Sequence, residues 1–72
     1  MSSLPVCSSQ VAIGAFRNLG YEVDHQTGSH SILRHPQARR LTVPNHPELA
    51  KGTLRALIRE AGLSKEEFDI LL

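Results

Sequence analysis

The spacing of apolar residues changes twice along this chain, and that change limits what it can fold into. Val11, Ala12, Ala15, Phe16 and Leu19 recur at the period of a helix. Tyr21 and Val23 then alternate with Glu22 and Asp24, and Leu41 and Val43 alternate with Arg40 and Thr42. That is the period of a half-buried strand. The helical period returns at Leu54, Leu57, Ile58 and Ala61. A helix, a block of strands and a second helix follow in order.

Punctuation residues place the boundaries. Ser8 or Ser9 can cap a first helix over about residues 9–19, and Gly20 is a left-handed stop. Gly14 lies inside that helix and weakens it by about 1 kcal/mol against alanine. Residues 21–26 read as a strand, Thr27-Gly28 as a turn and residues 29–35 as a second strand ended by Pro36. Residues 40–44 form a third strand, and short connections make the three an antiparallel meander. A loop at Asn45-His46-Pro47 leads to a helix from Lys51 or Thr53 to Ala61, stopped by Gly62. Ser64 and Glu67 then form a capping box, with Leu63 and Phe68 as a hydrophobic staple, for a short helix over 65–71. Residues 1–7 read as a lead-in strand or tail, because Pro5 excludes a helix there.

The expected fold class is therefore α+β, with order α-β-β-β-α, a three-stranded antiparallel sheet and a short extra C-terminal helix. Two amphipathic helices cover one face of such a sheet. If Leu33, Leu41 and Val43 face the helices, then His30, Ile32, Arg34, Arg40 and Thr42 lie on the open face. At 72 residues the chain reads as one domain. A domain of this size buries only about 60% of its unfolded surface, so a partner can add stability. The single cysteine, Cys7, permits no internal disulfide, and no apolar run is long enough to span a bilayer. With no secretory signal visible, the expected setting is the cytoplasm.

A net charge of +1 conceals a strong division. Residues 1–24 carry Arg17 against Glu22 and Asp24. Residues 25–59 carry Arg34, Arg39, Arg40, Lys51, Arg55 and Arg59 against Glu48 alone, a balance of +5. Residues 60–72 carry Lys65 against Glu60, Glu66, Glu67 and Asp69, a balance of −3. A locally positive surface attracts polyanions even when the total is near zero. Lys51, Arg55 and Arg59 recur at i, i+4, i+8, which is either a solvated helix face or a phosphate-tracking stripe. No aromatic platform for stacking single-stranded bases accompanies them.

Gly28-Ser29-His30 is the segment most suggestive of chemistry. A glycine before a strand lets a ligand approach the backbone, and a histidine there can move protons near neutral pH. RNA brings its own nucleophile, the 2′-hydroxyl, so a histidine and cations can supply part of what its cleavage needs. Taken alone, a strand histidine is as readily structural or merely exposed. His25, His30 and His35 are spaced by five, which alternates strand faces, so a metal site is not expected.

Leu19-Gly20-Tyr21-Glu22-Val23, Gly28-Ser29-His30, Arg34-His35-Pro36, Thr42-Val43-Pro44 with His46, Lys51-Gly52-Thr53-Leu54-Arg55 and Ala61-Gly62-Leu63-Ser64 with Glu67-Phe68 together resemble the HicA (YcfA-like) toxin family. The blocks stand in family order across about residues 8–68. The resemblance implies a double-stranded-RNA-binding-domain-like fold and a small mRNA interferase of a toxin–antitoxin module. It implies that His30 is catalytic, that Gly28 and Ser29 support it, that cleavage of mRNA needs no metal or other cofactor, and that a HicB antitoxin inhibits it. Arg34, Arg40, Lys51 and Arg55 are the candidate phosphate contacts. The alternatives are a non-catalytic double-stranded RNA-binding module and a protein-interaction domain that uses the open face. Neither DNA binding by the chain itself nor membrane association is expected.

Overall fold

A computed structural model describes residues 7–72, which form α1 (Ser9–Asn18), β1 (Glu22–Gln26), β2 (His30–Arg34), β3 (Leu41–Pro44), α2 (Lys51–Glu60) and α3 (Lys65–Leu71). The sheet order is β1-β2-β3, antiparallel throughout. The α+β order read from the sequence is the observed one. The lead-in segment falls on residues outside the described ones except for Cys7, which is buried and lies in neither helix nor strand.

The helix ends follow from their caps. Ser8 Oγ accepts from the Val11 amide at 3.1 Å, but a valine there offers no reciprocal acceptor. At α3 both halves of the capping box form: Ser64 Oγ accepts from the Glu67 amide, and Glu67 Oε1 accepts from the Ser64 amide at 2.8 Å. The N-cap of α2 is Ala50, which has no side-chain hydrogen bond to give. Gly20 at φ +111° and Gly62 at φ +79° turn the chain out of α1 and α2 in the left-handed region that glycine tolerates.

One face of the sheet carries the core. Ser31, Leu33, Leu41 and Val43 are fully buried against Phe16, Leu54 and Leu57, with Phe68 of α3 closing the end. Phe16 meets Tyr21 edge-on at 6.0 Å and Phe68 at 5.4 Å between ring centroids. Each such pair contributes about 0.5–1.5 kcal/mol beyond the area it buries.

Two expectations are corrected. In α1 the buried stripe is Ala12, Ile13, Ala15 and Phe16, while Val11 is 50% exposed. In β1 the expected half-buried alternation fails, since every residue is exposed and Val23 is 37% exposed. Both α1 and α2 make their main sheet contacts with β3, so β1 projects beyond their cover. A bulge between Val23 and His25 also breaks the alternation. Tyr21 is buried as expected, but in the turn before the strand, where its hydroxyl donates to the Arg39 carbonyl at 2.7 Å.

Candidate functional site

The open face of the sheet is organised in cross-strand rows. Glu22 pairs with Arg34 across β1 and β2, and the β2–β3 register carries that row on toward Arg40. The middle row is His25, Ile32 and Thr42. The last row, at the start of β2, is His30 with Pro44. His30, Arg34, Arg40 and Thr42 are exposed and Ile32 is half-buried, on the face that alternation assigned to them.

The hairpin between β1 and β2 holds His30 with neutral hydrogen bonds. The Thr27 amide donates to the His30 carbonyl at 2.8 Å, and the His30 amide donates to Thr27 Oγ1 at 3.0 Å. The Ser29 amide donates to the same oxygen at 3.3 Å. Asn45, at the end of β3, ties this turn down: its amide donates to the Ser29 carbonyl at 2.8 Å and its Nδ2 to the Thr27 carbonyl at 3.3 Å. Asn45 Oδ1 accepts from Ser31 Oγ at 2.8 Å, and Ser31 Oγ accepts from Gln26 Nε2 at 3.1 Å. Ser31 is the polar residue of the inward face, and these partners satisfy its hydroxyl, as a buried group requires. Above this frame Ser29 Oγ lies 2.9 Å from His30 Nδ1. The other ring nitrogen, Nε2, has no hydrogen-bond partner among the described residues. Gly28 is exposed, its φ is not in the left-handed region, and a Cβ added there would meet nothing within 4 Å. The fold itself therefore places no demand for glycine at this position.

At the far end of the same face the polar groups are charged and paired. Arg40 donates to Asp24 Oδ2 at 2.6 Å, and Arg34 lies 3.7 Å from Glu22. The Arg40 hydrogen bond holds the Asp24 carboxyl below the usual carboxylate range, although partial desolvation opposes it. Asp24 is the residue at the bulge, and it reaches Arg40 across β2. These pairs are a departure from the division of charge along the chain, because the acids of β1 fold onto the arginines of the basic segment. Arg34 and Arg40 line a recess of about 490 Å³ with Gly20, Glu22 and His35. His35 Nε2 donates to the Leu19 carbonyl at 3.1 Å and its Nδ1 accepts from the Gln37 amide at 3.0 Å. Both ring nitrogens are thus engaged, five residues from His30.

Lys51, Arg55 and Arg59 are exposed on α2, with no acidic partner within 4 Å among the described residues. At about 100° per residue they occupy one flank of the helix, while Gly52, Thr53, Ala56 and Glu60 occupy another. It is the second flank that faces Arg40, Thr42 and Pro44 of β3. The structure therefore brings Gly28, Ser29 and His30 together, sets Arg34 and Arg40 at the other end of the same face, and leaves Lys51 and Arg55 on a separate surface.

Thr27, Asn45, Gln26 and Ser31 were missed by the sequence reading. One signal existed: a serine at an inward strand position must find a polar partner.

The family model described as HicA toxin of bacterial toxin–antitoxin matches residues 11–63, most of the chain and every row of the open face. No curated protein matches the chain.

Proposed function

The chain belongs to the HicA toxin family, and from that premise we propose that it is the ribonuclease toxin of a toxin–antitoxin pair, acting as one domain on mRNA in the cytoplasm. The observation that carries this reading is the 2.9 Å contact between Ser29 Oγ and His30 Nδ1 on an exposed strand end. When Nδ1 holds its proton and donates it to Ser29 Oγ, Nε2 is left with a lone pair and is a base. Nε2 takes the proton of a substrate 2′-hydroxyl, the 2′-oxygen attacks the adjacent phosphorus, and the bond from phosphorus to the 5′-oxygen breaks. The imidazolium then returns the proton to that 5′-oxygen. The products are a 2′,3′-cyclic phosphate and a 5′-hydroxyl, and one histidine serves both steps. Ser29 accepts from Nδ1–H in both charge states, so it positions the ring without being consumed.

Arg34 and Arg40 are phosphate contacts once RNA displaces their carboxylates, and Lys51 and Arg55 add contacts from the flank of α2. Gly28 gives the strand room to approach the hairpin. A HicB antitoxin would inhibit by covering the same open face.

Replacing His30 with Gln in the folded chain tests the reading. Cleavage should fall by about 10²–10⁴-fold, the scale of a lost acid–base group, while RNA still binds in a gel shift. A His30→Gln variant that cleaves like the parent overturns it. No cleavage by the parent chain, with duplex RNA bound equally by both, would instead identify a non-catalytic double-stranded RNA-binding module.

A further inference from the structure

We infer that the groove between β3 and α2 is a base-binding subsite for the nucleotide next to the scissile phosphate, an inference that rests on the ribonuclease reading. The groove is a shallow recess of about 520 Å³, open to solvent on its outer side. Arg40, Thr42 and Pro44 form one wall, and Gly52, Thr53 and Ala56 form the other.

Continuity with His30 identifies the occupant. Pro44 is the cross-strand neighbour of His30, so the groove begins where the proposed chemistry takes place. It ends beside Arg40 and Glu60. Glu60, the last residue of α2, lines the groove together with Arg40. An RNA strand that passes over His30 and runs along β3 therefore places a neighbouring nucleotide between β3 and α2.

The lining suits a base rather than a second phosphate. Glu60 repels a phosphate at its end of the groove but accepts hydrogen bonds from a base edge, as carboxylates do for amino groups. Thr42 and Thr53 add short hydroxyls that donate or accept. Arg40 is placed to hold the phosphate on the outer side. Gly52 has open space around its missing side chain, with nothing within 4 Å of an added Cβ, so packing does not explain a glycine there.

That space makes the test clean. Gly52→Leu and Ala56→Leu each fill the groove from an exposed helix position with a good helix former. Gly14→Leu, on α1 and equally free of neighbours, is the control for added bulk. Binding is read by fluorescence anisotropy with a single-stranded 2′-O-methyl RNA, which cannot be cleaved, and folding by thermal melts. Both groove variants should melt at or above the parent temperature and bind roughly ten-fold more weakly, the effect of losing about one good contact. The parent's Thr42 and Thr53 amides should shift on titration, and Gly14→Leu should bind as the parent does. Parent-like binding by both groove variants overturns the subsite, as does equal weakening by the control. Silent groove amides, with shifts on adding a partner protein instead, overturn it too. His30→Gln separates the two proposals: if that variant cleaves normally the histidine reading fails, and the groove is still judged by binding alone.

Discussion

At one end of the open face His30 is held by neutral hydrogen bonds, and at the other Arg34 and Arg40 are held by carboxylates. The two ends answer to different disturbances. A neutral network fixes a ring's position and barely notices salt. Exposed ion pairs fix little, are screened by salt, and exchange one anion for another readily. The near end is therefore suited to chemistry, which needs a fixed geometry. The far end is suited to exchangeable binding, and on the proposed reading Glu22 and Asp24 give way to phosphates there.

The largest expected effect comes from breaking the neutral end without touching His30. Asn45→Ala removes the bond to the Thr27 carbonyl and leaves the buried Ser31 hydroxyl proton without an acceptor. That unsatisfied donor costs about 1–3 kcal/mol, measurable by urea unfolding. Loosening the turn should lower cleavage by about a hundred-fold, the scale of a displaced catalytic group, mainly in kcat. Asn45→Asp keeps the acceptor for Ser31 but cannot donate to Thr27, so its kcat should fall between the two. Unaltered kcat in Asn45→Ala would mean that the turn does not position the histidine.

Asp24→Asn sharpens the comparison from the charged end. It releases Arg40, so RNA should bind more tightly at low salt. The slope of log affinity against log salt should steepen by about 0.7, the single-strand value for one phosphate contact. The same variant has a pH signature. The Asp24 carboxyl titrates lower in the folded chain than in the unfolded one, through the Arg40 hydrogen bond. Its contribution is thus complete above the ordinary carboxylate range and is lost as pH falls through the lowered folded value. Urea midpoints of the parent and Asp24→Asn should differ near neutrality and converge in acid. A constant gap at all pH values would show that the ion pair is not its source.

How much of this was legible in the sequence follows from what is local. The order of elements was legible because period and punctuation are short-range: Gly20, Pro36, Gly62 and the Ser64–Glu67 box act within a few residues. The face on which His30 stands was legible because it follows from alternation within β2. Val23 was misplaced because a bulge, and helices that settle over β3, lie outside any local pattern. Ile13 is buried where Val11 is exposed, since the helix's rotation about its axis is set by the sheet beneath it. The Asp24–Arg40 pair and the Asn45 clamp join residues 16 and 18 positions apart, and register alone brings them together.

The smallest expected effect concerns cations that neither end uses. Lys51 and Arg55 are unpaired among the described residues and sit on a flank of α2 turned from the groove. If the backbone of a longer RNA crosses that flank, Lys51→Gln and Arg55→Gln should each lower the salt slope by about 0.7 and weaken all sequences alike. The kcat at saturating RNA should stay at the parent value, because neither residue touches the hairpin. An oligonucleotide long enough for His30 and the groove, but too short to reach α2's outer flank, should not distinguish the variants from the parent. A reduced slope with that short RNA would instead place the two cations inside the site, and the separation between neutral and charged surfaces would have to be redrawn around them.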